Sequence, residues 1–170
     1  MSQALLYCFA GLPGSGKSTL AQALSKAISA LYLRVDTVEQ GFKDFGFGPV
    51  TSQGYELLYR IAADNLSLGQ SVIADTCNPI ELTRRDWQQV AVENKAQLVN
   101  IEVICSDQQI HRQRVESRVS QIPGLAQPSW RDVIEREYHE WSLPRIVIDM
   151  AAQTPVESLA TLINQLVKAG

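Results

Sequence analysis

Gly11-Leu12-Pro13-Gly14-Ser15-Gly16-Lys17-Ser18 fits the pattern G-x-x-x-x-G-K-[ST] and constrains the fold more than any other stretch. The apolar run Leu5–Ala10 precedes it and reads as a buried strand. Behind it, Leu20, Leu24 and Ile28 recur at helical spacing. A strand, a glycine-rich turn and a helix start in that order form an anion cradle. Gly14 and Gly16 permit backbone conformations that a side chain forbids, so successive N–H groups turn inward. The helix start adds partial positive charge. Pro13, Gly14, Ser15, Gly16, Lys17, Ser18 and Thr19 are therefore the expected nucleotide-phosphate contacts. Lys17 serves the outer phosphates, and the Ser18 hydroxyl is placed for Mg²⁺.

The 170 residues are read as one domain, 1–170, long enough for a sheet covered on both faces. No apolar run reaches membrane-spanning length. No basic region precedes the first apolar stretch, so the expectation is a cytoplasmic protein rather than a secreted one. Cys8, Cys77 and Cys105 are odd in number and lack metal-ligand spacing, which predicts reduced thiols. The net charge of −3 gives no general attraction for nucleic acid.

Along the chain, strands are expected at Leu31–Val35 (ending in Asp36), Ser71–Asp75, Leu98–Ile104 and Ile146–Asp149. Thr37–Val50 reads as a loop or short helix carrying spare aromatics. Tyr55–Leu68 reads as a helix with Leu58, Ile61, Ala62 and Leu66 inward, stopped by Gly69. Asn78-Pro79-Ile80-Glu81 resembles a capping box opening a helix that carries Arg84, Arg85, Trp87 and Val90. Ser106 with Gln109 is expected to cap a helix through Ile110, Arg114 and Arg118. Gln121–Pro128 breaks that helix. Ser129 with Asp132 opens another along Trp130, Val133, Ile134, Tyr138 and Trp141. Thr154 with Glu157 opens the last, packed through Leu159, Ile163, Leu166 and Val167. The alternation specifies an α/β fold with a parallel sheet, and ligands on such sheets sit beyond the carboxyl ends of the strands. Gly11, Asp36 and Asp75 all fall at such ends.

Asp75 closes an apolar strand, as a Walker B aspartate does, and is the expected Mg²⁺ holder with Ser18; a helix cap is its plainer role. No Glu follows it, which disfavours an ATPase that activates water. Asn94-Lys95-Ala96-Gln97 lacks the Asp of a guanine-recognition motif, so adenine is the better expectation. Asp44-Phe45-Gly46 has no accompanying HRD loop and is read as coincidence. Asp36 is either a base set against an acceptor hydroxyl or a cap for the segment at Thr37. Arg114 and Arg118 form either a solvated face with Glu116 or a lid over the phosphates that stabilises transition-state charge. Phe42, Phe45, Phe47 and Tyr55 either line an acceptor pocket or pack a small helical subdomain.

GLPGSGKST, Asp36, the Asp75–Asn78–Arg84 segment and the Arg114/Arg118 pair together resemble the small P-loop kinases. These include the kinases related to polynucleotide kinase, zeta toxin, chloramphenicol phosphotransferase and gluconate kinase, and the likeness covers nearly the whole chain. The resemblance implies a P-loop NTPase fold with a five-stranded parallel sheet in the order 2-3-1-4-5, flanking helices and a small lid. It also implies ATP and Mg²⁺, Lys17, Asp36 and Arg114 as catalytic residues, and Arg118 beside the adenine. Asn78 and Arg84, with Asp36, match positions that face the acceptor. Glu39 departs from the pattern, since many relatives carry Arg three residues after the strand-two Asp. The expected function is transfer of the γ-phosphoryl group of ATP to a hydroxyl of a small molecule. Two alternatives stand: an ATP-binding regulator without a dedicated acceptor, and a nucleic-acid 5′-end kinase. The identity of the acceptor and the oligomeric state are not written in the sequence.

Overall fold

The computed structural model describes residues 3–169. Among these residues five strands and seven helices follow in the order β1 (Leu5–Ala10), α1 (Lys17–Ile28), β2 (Leu31–Arg34), α2 (Val35–Asp44), α3 (Gln53–Ser67), β3 (Val72–Asp75), α4 (Glu81–Glu93), β4 (Gln97–Ile104), α5 (Gln108–Ser117), α6 (Trp130–Ile134), β5 (Ile146–Asp149) and α7 (Pro155–Ala169). All strand pairings are parallel and the order is β2-β3-β1-β4-β5, as the resemblance implied.

The central strand shows why both faces are covered. Leu6 and Cys8 point to one side, packing with Leu58 and Ala62 of α3 and Trp87 of α4. Tyr7 and Phe9 point to the other, packing with Leu20 and Leu24 of α1 and Leu162 of α7. A two-residue period sends neighbours to opposite faces, so an unbroken apolar strand needs helices on both. The three cysteines are free thiols. Among the described residues no helix is long and apolar enough to cross a membrane.

Several local expectations change. β2 stops at Arg34, whose register partner is Asp75, the last residue of β3. With no ladder beyond that point the chain turns into helix, so Val35 and Asp36 open α2 instead of closing a strand. Asn78 is not a helix cap: it sits at φ 46, Ile80 is the N-cap, and no side chain caps α4. Asp107, not Ser106, caps α5, accepting from the N–H groups of Gln109 and Ile110. α6 is five residues long, because the chain beyond it is drawn off into irregular structure around Arg84. Ile134 and Val167 are exposed, and Ile28 is partly so. The capping boxes at Ser129/Asp132 and Thr154/Glu157 form as expected.

Candidate functional site

The turns after β1, β2, β3 and β5 meet the end of α5 around one cavity of about 940 Å³ at the carboxyl edge of the sheet. That lies at the upper end of the ~300–1,000 Å³ usual for small-molecule sites. The phosphate loop forms its floor. Gly14 (φ 82) and Gly16 (φ 99) are in left-handed conformations, and neither has room for a side chain. A Cβ on Gly14 would lie 2.5 Å from Val115 Cγ2, and one on Gly16 would lie 2.5 Å from Met150 Sδ. No side chain caps α1 and no acidic residue occupies its first turn. Its leading N–H groups, which have no partner inside the helix, are thus left for an anion at the positive end of the helix dipole.

Lys17, the first residue of α1, is buried and donates to Asp75 Oδ1 at 2.7 Å. Asp75 is also buried, and its Oδ2 accepts from the Tyr32 hydroxyl at 2.6 Å. Burial alone would raise the Asp75 carboxyl. The Lys17 ammonium overrides it, helped by the Tyr32 and Ser18 hydroxyls, and holds it below the usual carboxylate range. Burial likewise opposes the charge on Lys17, and Asp75 restores it and raises its pKa. The Tyr32 hydroxyl is raised by burial and by Asp75, which keeps it a donor. Among the described residues no cluster of three or more His, Cys, Asp or Glu forms a metal cage. A hydroxyl and one carboxylate, Ser18 and Asp75, suit Mg²⁺, which is commonly held by one or two carboxylates with substrate phosphates.

Asp36, in the first turn of α2, lines the same cavity. Its Oδ2 lies 3.7 Å from Arg34 Nε, and its side chain is 38% exposed. Arg114 also lines the cavity but is anchored: its Nη2 donates to the Met150 carbonyl at 2.9 Å. Arg118 is the C-cap of α5, outside the helix. Its guanidinium is half-buried, with Nε buried and unpaired. Burial lowers its pKa, and Asp36, Cys77, Arg34 and Arg136 are the charged or ionisable groups that it feels. The two arginines are therefore not paired on one helical face.

Asn78 and Arg84 do not reach the cavity. Both are fully buried. Arg84 donates to the carbonyls of Asn78, Pro79, His139 and Glu140 and stacks on Trp141 at 4.0 Å. A guanidinium so occupied has no fork left for a substrate; it acts as a clamp between two loops. Phe45 and Phe47 are exposed and pack edge-on against each other near Phe42, away from the cavity. Asp44 bonds Gln40, so Asp-Phe-Gly is merely the end of α2.

Three contributors went unread in the sequence. Tyr32 orients Asp75. His111, buried on α5, donates from Nε2 to the Pro13 carbonyl at 2.8 Å and packs edge-on against Trp130. Arg136 lines the cavity with Nη1 3.7 Å from Cys77 Sγ. Only Tyr32 carried a signal: strand alternation puts it with Arg34 on one face of β2.

A family model described as an AAA domain matches residues 6–129. No curated protein matches the sequence significantly. The fold is similar to that of a candidate kinase from Chloroflexus aurantiacus, with TM-score 0.76, 22% identity, and 100% of this chain and 99% of that one covered. It is also similar to the Mycobacterium tuberculosis APS kinase in complex with AMPPNP and APS, with TM-score 0.70, 17% identity, and coverage of 98% and 99%. Kti12 from Chaetomium thermophilum, in complex with ADP-AlF3, gives TM-score 0.69, 18% identity, and coverage of 96% and 98%.

Proposed function

We propose, for a chain that belongs to the AAA domain family, that it is an ATP-dependent phosphotransferase acting on a hydroxyl of a small molecule. The observation that carries this reading is a single cavity lined by the phosphate loop, Asp36 and Arg114. Proton transfer from an acceptor hydroxyl needs a carboxylate in the same cavity as the phosphate cradle, and nucleotide binding alone does not. The complexes of the similar proteins with AMPPNP and with ADP-AlF3 support a nucleotide in that cradle.

In this reading the amides of Gly14–Thr19 and the Lys17 ammonium hold the phosphates, and binding divides Lys17 between Asp75 and the outermost phosphate. Ser18 and Asp75 would hold Mg²⁺, which when bound supplies charge neutralisation to the phosphate oxygens. Asp36 accepts the proton of the acceptor hydroxyl. That oxygen bonds to the γ-phosphorus as the bond to the ADP oxygen breaks, and ADP leaves with the electron pair. Arg114 stabilises charge developing on the phosphoryl group. Arg118, which the resemblance sets beside the adenine, feels Asp36, Arg34 and Arg136 and is assigned to the acceptor side in this reading.

Incubation with γ-labelled ATP and a panel of hydroxy compounds tests the reading, with labelled product as the expected outcome. Label found only in inorganic phosphate would leave a weak ATPase in its place. Asp36→Asn should keep ATP affinity while kcat falls by ~10²–10⁴; an unchanged kcat removes the base assignment.

A further inference from the structure

The cavity's lining includes a wing drawn from the ends of β2 and β3, from α2 and from the turns after α5 and α6. Four cationic side chains line it: Arg34, Lys43, Arg118 and Arg136. They come from four separate places: the end of β2, α2, the end of α5 and the turn after α6. Three acidic residues line the cavity with them, Asp36, Glu39 and Asp132. Asp132 is committed to the capping box with Ser129. Asp36 faces Arg34 at 3.7 Å, and Asp75, 3.9 Å from Arg34, is already held by Lys17. Glu39 is pushed up by burial first and by Asp36 next, with Arg136 and Lys43 opposing.

Cations therefore outnumber the available carboxylates in a protein that is acidic as a whole. Arg118 Nε is buried with no acceptor, and an unmet buried donor costs roughly 1–3 kcal/mol. Among the described residues the Arg136 fork makes no ion pair: it meets the Cys77 thiol at 3.7 Å, and Glu39 and Asp132 feel its charge without contacting it. Guanidiniums at close quarters repel one another unless an anion joins them, and their planar forks match the oxygens of a phosphate, sulfate or carboxylate. The clamp at Arg84 fixes this arrangement, because it ties the loop after β3, which carries Cys77, to the segment following Arg136.

We infer that this wing receives the anionic group of the phosphoryl acceptor, so that the substrate is a small hydroxy compound bearing a phosphate, sulfate or carboxylate gripped by Arg136 and Arg118. The inference rests on the phosphotransferase reading and names its substrate class. Asp36 lines the same cavity, 3.7 Å from Arg34, and is the carboxylate left to meet the acceptor hydroxyl.

The test uses the full chain loaded with AMPPNP and Mg²⁺, so that the phosphate cradle is filled, and titrates it with sulfate by calorimetry. Saturable binding is expected. It should weaken at least tenfold in Arg136→Gln, an exposed position whose change does not disturb the core, and stay within twofold in Arg112→Gln, whose partner is Glu116 on the outer face of α5. Glycerol, glycerate and glycerol 3-phosphate then separate the kinds of anion, and either charged member should bind at least tenfold more tightly than glycerol. No saturable sulfate binding, equal binding in Arg136→Gln, or glycerol binding as tightly as its charged partners overturns this inference alone. Failure of AMPPNP to bind overturns the phosphotransferase reading, and this one with it.

Discussion

Lys17 and Asp75 hold each other in a buried pair at 2.7 Å, before any nucleotide arrives. Breaking such a pair from one side leaves a buried charge alone and costs about 3–5 kcal/mol. Lys17→Met should therefore destabilise the protein by ~3 kcal/mol at pH 7, the low end of that range, because Tyr32 still donates to Asp75. The pH dependence follows from the depressed Asp75 carboxyl. Its contribution is fully present above the unfolded value near 4 and is lost as pH falls through the lower folded value. Urea midpoints of wild type and variant should thus stand far apart at pH 7 and converge as pH falls below about 4. A gap independent of pH would mean that the pair is not what Lys17 contributes. The motif announced Lys17 and Ser18 at their positions, and the strand end announced Asp75. Their being bonded to each other is a contact across 58 residues that no local pattern records.

The phosphate loop is an element held from outside. Gly14 rests on Val115 of α5, Gly16 rests on Met150 after β5, and His111 donates to the Pro13 carbonyl. Gly14→Ala introduces both a left-handed strain of ~1–2 kcal/mol and a steric overlap. A melting temperature lower by about 4–8 °C is expected for ~2 kcal/mol in a chain of this size, with nucleotide affinity reduced at least tenfold. Adding Val115→Ala removes the overlap but not the strain, so thermal melts of the double variant should recover part of the loss. The glycines were legible because the motif demands them. The seat was not, since His111 and Val115 lie about a hundred residues away and show only ordinary helical spacing. The same limit explains α6: the Ser129/Asp132 box marked its start, while its end was decided by what Arg84 draws from the following chain.

At the scale of the molecule, Arg84 joins the loop after β3 to the segment at His139 and Glu140. Arg84→Met should leave the Asn78, His139 and Glu140 carbonyls without their donor, while Pro79 keeps the His139 N–H. Stability should fall by about 3 kcal/mol, roughly 6–12 °C in melting temperature, with proteolysis concentrated at residues 137–145. A melt within 2 °C of wild type would show that the clamp carries no weight. By itself the sequence determined the order of strands and helices and the phosphate cradle, because apolar periodicity and glycine-rich turns act over a few residues and leave their mark locally. Strand order was available only through likeness to other chains. Tertiary structure alone decided which charged groups share the cavity. Arg84 and Asn78 were withdrawn into the interior and Arg136 was brought forward, since burial and electrostatic neighbours are set by segments that meet only when the sheet and its helices close.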